Sequence, residues 1–130
     1  MKKKIISVTC AIIHFEDKIL AVQRSKTMKL PLKWEFAGGK IEAGESEIEC
    51  IKREIFEELN IEIEVRDRLT PVVHQYSNFT IELIPFIADY LFGELKLKEH
   101  SSFILVNKKG LIKLDWAEAD LPILKEFLAL

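Results

Sequence analysis

Cysteine is scarce in this 130-residue chain: Cys10 and Cys50 are the only two, and no motif joins them. No disulfide framework can be built from such a pair, so a reducing cytoplasm is the expected compartment. Cys50 falls inside a helical pattern, where a small buried hydrophobe is the expected role. No apolar run reaches the ~18–20 residues a membrane span requires, so no membrane association is expected. The start Met1-Lys-Lys-Lys followed by IISVTCAII has the outline of a secretory leader. His14, Glu16 and Asp17 follow at once without a small-residue cleavage site, which argues against that reading. Positive charge is not in excess either: 19 Lys and Arg stand against 21 Asp and Glu, a formal net charge of -2. A nucleic-acid polymer is therefore not the expected partner. Repeats, linkers and low-complexity tracts are missing, which leaves one soluble, globular domain over residues 1–130, 48% hydrophobic and 31% charged.

What is present is an ordered series of short elements. Ile5 to Phe15 is rich in β-branched and apolar residues and reads as a strand, with Glu16-Asp17-Lys18 as a turn and Ile19 to Arg24 as a second strand. Ser25 to Lys33 reads as a loop, since Pro31 cannot donate to a ladder. Trp34 to Ala37 is a short strand running into a Gly38-Gly39 turn, where paired glycines permit backbone conformations that other residues resist. Ile61 to Tyr76 and Phe79 to Phe92 read as two long strands. The second is apolar on both alternating faces (Ile81, Leu83, Ile87; Ile84, Phe86, Tyr90) and so should be covered on both sides. Gly93-Glu94 turns the chain, Phe103 to Val106 is a further strand, and Lys108 to Ile112 is a connecting segment. Pro122 is acceptable in a first helical turn, so Leu121 to Ala129 forms a terminal helix. Strands and two helices in this order predict an α/β fold, a three-layer α/β/α sandwich around a mixed sheet.

One helix carries the chemistry. Ser46 with Glu49 three residues on is a capping box that opens it. Ile48, Ile51, Ile55 and Leu59 form its apolar stripe. Glu54, Glu57 and Glu58 lie at i, i+3 and i+4, on one narrow face about 100° around from the stripe. Like charges at that spacing destabilise a helix by about 0.2–0.5 kcal/mol per pair. Glu45 and Glu47 add two carboxylates near its start. A solvated acidic face is the plain reading of such a helix. A hard divalent cation, which takes oxygen ligands, would offset the repulsion. Polarised phosphoryl oxygens and an activated water are what phosphoanhydride hydrolysis needs from such a cation.

The spacing decides between these readings. Gly39, then Glu45, then Arg53-Glu54-Ile55-Phe56-Glu57-Glu58-Leu59-Asn60-Ile61 resembles the Nudix box, in which a Gly is followed six residues later by a Glu and then by R-E-apolar-x-E-E-x-G-apolar. The departure is Asn60 in place of the usual Gly, and Asn tolerates the left-handed backbone of a helix stop. The resemblance implies a Nudix fold and Mg²⁺ as cofactor, with Mn²⁺ as a substitute. It implies Gly38 (through its carbonyl), Glu57, Glu58 and the distant Glu99 as metal ligands, and Glu54 as base or further ligand. Arg53 would orient a glutamate, and Arg24 and Lys40 would meet phosphates.

WEFAGGKIE and LDWAEADLPILKEF are similar to the MutT branch of nucleoside triphosphate pyrophosphohydrolases, and within it to CTP pyrophosphohydrolases, which share Ala37. The implied reaction takes a nucleoside triphosphate and water to the monophosphate and pyrophosphate by attack on the β-phosphorus. CTP, dCTP or modified nucleotides such as 8-oxo-dGTP are the implied substrates. Asp120 is the candidate base reader, because a carboxylate accepts from cytosine's exocyclic amine or from guanine N1–H and N2–H. The other role open to Asp120 is N-cap of the last helix. Phe36 either stacks on a base or belongs to the core. Alternatives are hydrolysis of another nucleoside diphosphate derivative such as ADP-ribose, or a non-catalytic nucleotide-binding module. The chain is read as a monomer or homodimer. His14, His74 and His100 have no metal-ligand spacing and receive no role.

Overall fold

A computed structural model describes residues 4–130; Met1–Lys3, the basic start weighed above as part of a leader, lies outside the described residues. The centre of the molecule is a pair of parallel strands, β1 (Ile5–Phe15) and β7 (Thr80–Phe92), in register from Ile5↔Thr80 to His14↔Asp89. Among the described residues the other strand-to-strand pairings are antiparallel, which makes the sheet mixed, and an isolated parallel bridge joins Trp34 to Trp116. β2 (Lys18–Gln23) turns back onto β1, and β3 (Trp34–Glu35) and β8 (Ser102–Val106) both pair with β2. β4 (Gly38–Lys40) pairs with the first half of β1. β5 (Glu62–Arg68) and β6 (Val72–Gln75) pair with the two halves of β7.

The two-residue period of the central strands sorts their side chains into two cores. Cys10 and Ile12 of β1, Ile19 and Ala21 of β2, and Leu83 and Ile87 of β7 face one way. Ala11, Ile13, Leu20, Val22, Ile84, Phe86 and Ala88 face the other. Helix α1 (Glu47–Leu59) covers the second face with Ile51, Ile55 and Leu59, all fully buried. Short helix α2 (Lys108–Ile112) and terminal helix α3 (Leu121–Leu128) cover the first with Leu111, Ile123, Leu124 and Phe127. Each such side chain contributes on the order of 1.5–3 kcal/mol on burial. Helices on both faces of a mixed sheet are the three layers expected from the element order.

Several boundaries differ from expectation for identifiable reasons. Ile61 to Tyr76 is not one strand: it breaks around Pro71, which cannot donate to β7, into β5 and β6. Lys108 to Ile112 is a helix rather than a mere connection, its start capped by Asn107 Oδ1 accepting from Gly110 N–H at 2.9 Å. Ile48 is not part of the buried stripe; it lies half exposed in the first turn of α1 while Cys50 takes the inward place. Gly38 and Gly39 do not form a turn. They are β4, and neither adopts a positive φ. They are glycines because of close approach: a Cβ on Gly38 would sit 1.9 Å from the Thr9 carbonyl oxygen.

Candidate active site

Helix α1 begins as its sequence predicts. Ser46 Oγ accepts from Glu49 N–H at 3.1 Å, and Glu49 Oε1 accepts from Ser46 N–H at 3.0 Å. It ends at Asn60 in the left-handed region, φ 62° and ψ 25°, so Asn serves the stop that a glycine would. Helix ends leave carbonyls without partners. Here Lys96 N–H donates to Leu59 O at 3.0 Å and Lys98 N–H to Glu58 O at 3.2 Å, while Asn60 Nδ2 donates to Glu94 O. The segment after β7 is thereby stitched along the end of α1, and Glu99 arrives beside the glutamate face.

Arg53 organises that face. Its guanidinium donates to Glu45 through Nε at 2.6 Å and Nη2 at 2.9 Å, to Glu54 Oε1 at 2.8 Å, to Glu57 Oε2 at 3.1 Å and to the Lys40 carbonyl at 3.1 Å. Such a fork fits a carboxylate bidentately, which a lysine does not. The Arg53 hydrogen bond holds the Glu45 carboxyl down to about 2, helped by the Glu42 backbone N–H. Glu54 is pressed against β4: a Cβ on Gly39 would lie 2.2 Å from its carboxylate.

Glu58 differs from its neighbours. Its Oε2 is buried without a hydrogen-bond partner. Burial, then Glu99, and more weakly Glu54 push its carboxyl above the usual carboxylate range, against the opposing pull of His100 and Lys98. An orphaned carboxylate oxygen crowded by two other acids, all hard oxygen donors, fits a divalent cation. The ligand set is not preassembled: Glu54 and Glu57 are turned to Arg53. Among the described residues no three acidic, histidine or cysteine side chains already gather around one point.

The same face opens into a cavity of about 520 Å³. Gly38, Gly39, Lys40, Glu58 and Glu99 line one part of it. Arg24, Phe36 and Asp120 line it too, so the structure gathers most of the sequence-predicted residues around one space; Arg53, Glu54 and Glu57 are not part of the lining. Asp120 is 4% exposed, and its Oδ2 accepts from Phe36 N–H at 2.9 Å. It makes no cap hydrogen bond to α3, so the capping role is set aside. Burial, followed by Glu35, pushes its carboxyl well above the usual range, against the Phe36 N–H and Arg24. Burial and the charges of Asp120 and Glu35 raise the neighbouring Cys10 thiol likewise. Phe36 serves both of its candidate settings: it lines the cavity and is buried in the core, its ring 4.7 Å from that of Trp116. Lys40 is exposed at the rim.

Among the residues that sequence reasoning passed over, Glu35 and His100 also line the cavity. Glu35 pairs with Arg24 Nη1 at 2.9 Å through Oε1, and with His100 Nε2 at 2.9 Å through Oε2. Nothing in the spacing of Glu35 and His100, 65 positions apart, announces that contact.

The NUDIX domain profile matches residues 3–122. The chain belongs to the Nudix family. Over 127 residues it is 35% identical to the CTP pyrophosphohydrolase of Escherichia coli K12, covering 98% of this chain and 94% of that one. The 8-oxo-dGTP diphosphatase of Proteus vulgaris is 29% identical over 100 residues, covering 77% of this chain and 89% of that one. Among solved structures, that of a Nudix hydrolase of methicillin-resistant Staphylococcus aureus 252, described as DNA mismatch repair protein MutT, superposes with a TM-score of 0.80. It is 38% identical and covers 98% of each chain. The chain is thus a Nudix hydrolase with the Nudix sandwich, in a family whose hydrolases generally require a divalent metal. Among the described residues no helix is long and apolar enough to cross a membrane.

Proposed function

We propose that this Nudix hydrolase converts a nucleoside triphosphate and water to the monophosphate and pyrophosphate in the cytoplasm, using Mg²⁺ or, in its place, Mn²⁺. CTP, dCTP or modified nucleotides are the proposed substrates. The observation that carries the reading is a single cavity holding both Glu58 with its orphaned oxygen and the buried Asp120. One suits a cation with its phosphates, the other a base edge. The near full-length relationship to a CTP pyrophosphohydrolase supports the same substrate.

Glu57, Glu58, Glu99 and the Gly38 carbonyl would hold the cation. When bound, it polarises phosphoryl oxygens and lowers the pKa of a bound water. Arg53 occupies Glu54 Oε1, which leaves Oε2 to accept the proton of the attacking water. The water oxygen joins the β-phosphorus, the bond from that phosphorus to the bridging oxygen breaks, and the monophosphate leaves. Arg24 and Lys40 meet phosphate oxygens, and Phe36 borders the base. In H₂¹⁸O with Mg²⁺ and a nucleotide panel, the label is expected in pyrophosphate and not in the monophosphate. Orthophosphate as first product, or turnover of ADP-ribose alone, would overturn the reading.

Asp120 also admits a second substrate class. Its protonated form sets a donor beside an acceptor, matching N3 and the N4 amine of cytosine. Its ionised form offers two acceptors, matching guanine or 8-oxoguanine N1–H and N2–H. Asp120→Asn fixes the donor–acceptor pattern. It is expected to retain most cytidine activity while losing at least ~10-fold on guanine nucleotides, since each such hydrogen-bonded pair is worth about 1–3 kcal/mol. The folded-state pKa of Asp120 is raised, so its contribution to stability is full at acid pH and is lost as pH rises through the folded value. Asn does not titrate. Asp120→Asn should therefore melt above the parent at pH 8, with the difference shrinking toward pH 4 in a thermal-shift series. The groups facing this carboxyl are Glu35, Arg24, Cys10 and Tyr76, and they are unchanged in the comparison.

A further inference from the structure

His100 is the most deeply buried part of the segment that delivers Glu99. The imidazole side chain is 4% exposed, whereas Glu99 is exposed. The two residues span the interval between two backbone anchors. Lys98 N–H donates to Glu58 O on α1, and Ser101 N–H donates to Gln23 O on β2 at 2.9 Å. Among the described residues no backbone–backbone hydrogen bond holds Glu99 or His100 themselves; within the interval the side-chain bond of His100 to Glu35 is the fixed point. A carboxylate only accepts, so Nε2 carries the proton and donates to Glu35 Oε2. Arg24 completes the chain by holding Glu35 Oε1. Nδ1 is buried with no partner, so the imidazole acts through one nitrogen only.

We propose that His100 is a positioning residue for the divalent-ion site: its Nε2–H···Oε2 bond to Glu35 pins the loop between β7 and β8 so that Glu99 faces Glu58. This rests on the reading of Glu99 as a ligand. The electrostatic effect of both Glu99 and His100 on Glu58 agrees with that placement. Partners that orient metal ligands typically affect ion affinity by 10–100-fold when removed.

The test uses Mn²⁺ binding to the full-length, substrate-free protein, read by electron paramagnetic resonance, with kcat and KM measured separately. His100→Leu is expected to weaken Mn²⁺ binding ~10-fold and to lower kcat at fixed Mg²⁺, with turnover recovering as Mg²⁺ is raised. His100→Gln, whose amide nitrogen reaches the place of Nε2, should restore binding, because Nδ1 has no partner to lose. His100→Asn, whose amide sits nearer the place of Nδ1, should not. In a Glu99→Gln background His100→Leu should add nothing. Unchanged Mn²⁺ binding in His100→Leu beside weakened binding in Glu99→Gln overturns the positioning role alone. Equal rescue by Asn and Gln does the same. Unchanged binding in Glu99→Gln overturns the ligand reading of Glu99 and the proposal with it.

Discussion

Glu58→Gln is expected to lower turnover by on the order of 10³-fold and, in the same protein, to raise the melting temperature. The two effects share one cause. The Glu58 carboxyl is raised above its usual range by burial, with Glu99 and then Glu54 adding like charge, and its Oε2 has no partner. A group whose folded pKa is raised contributes fully to stability below its unfolded pKa and loses that contribution as pH climbs through the folded value. At pH 8, without metal, the ionised side chain therefore opposes folding, and an uncharged amide of the same shape removes that opposition. Near pH 4 the parent carboxyl is largely protonated and the difference should close. If Glu58 holds the cation as proposed, the loss of rate follows from removing a hard anionic ligand from an ion that supplies several kcal/mol of transition-state charge stabilisation, at 1.36 kcal/mol per decade. Thermal melts with and without Mg²⁺ read both halves. Ligand binding stabilises the folded state by mass action, so Mg²⁺ should raise the parent's melting temperature more than the mutant's. A Glu58→Gln protein that turns over at the parental rate would remove Glu58 from the ion site.

That site could be read from sequence only where its residues are neighbours along the chain. Glu54, Glu57 and Glu58 share a helix face by periodicity alone, and Arg53, Glu45 and Asn60 follow from fixed spacing. Each of the three stands where that spacing requires: Arg53 within the carboxylates, Glu45 under it, and Asn60 at the left-handed stop. The strand pattern is equally local: β1, β2 and β7 sort their alternate residues into two cores, and for β7 the two apolar faces were expected. Contacts between distant segments were not legible. The bond between Glu35 and His100 depends on β3 lying along β2 and on the loop after β7 capping α1, and neither arrangement leaves a period in the sequence. Asp120 carried two readings, cap and base reader, because Asp before a proline-started helix suits either. Its carboxylate turns to Phe36 N–H, a donor supplied by the link between β3 and β4, 84 positions away. Pro71 broke a strand that composition alone made continuous, and paired glycines suggested a turn where close packing was the reason for them.

Those glycines separate stability from chemistry in one experiment. Gly38 and Gly39 are adjacent in β4, and neither uses a positive φ, so an alanine suffers no backbone strain at either. The difference lies in what a Cβ would meet. At Gly38 it meets main chain, the Thr9 carbonyl oxygen at 1.9 Å and Cys10 Cα at 2.7 Å. Strand β1 cannot yield without disturbing its parallel register with β7. Gly38→Ala is therefore expected to cost about 1–3 kcal/mol or more, as overpacking of a well-filled interior does, and to show first as a lowered melting temperature. At Gly39 the Cβ meets the end of a side chain, the Glu54 carboxyl carbon and Oε2, both at 2.2 Å. A side-chain terminus can swing away at little cost in stability, but Glu54 then leaves the place from which it would take a proton. Misplacing a catalytic group by about 1 Å can cost ~10²-fold in rate. Gly39→Ala should accordingly melt within a few degrees of the parent while losing ~10² or more in kcat, with KM little changed. Gly38→Ala should lose stability first, and any protein that remains folded should turn over at a rate closer to the parent's. If Gly39→Ala kept full turnover, Glu54 would have room to work from another position, and its pressing against β4 would have no part in the reaction.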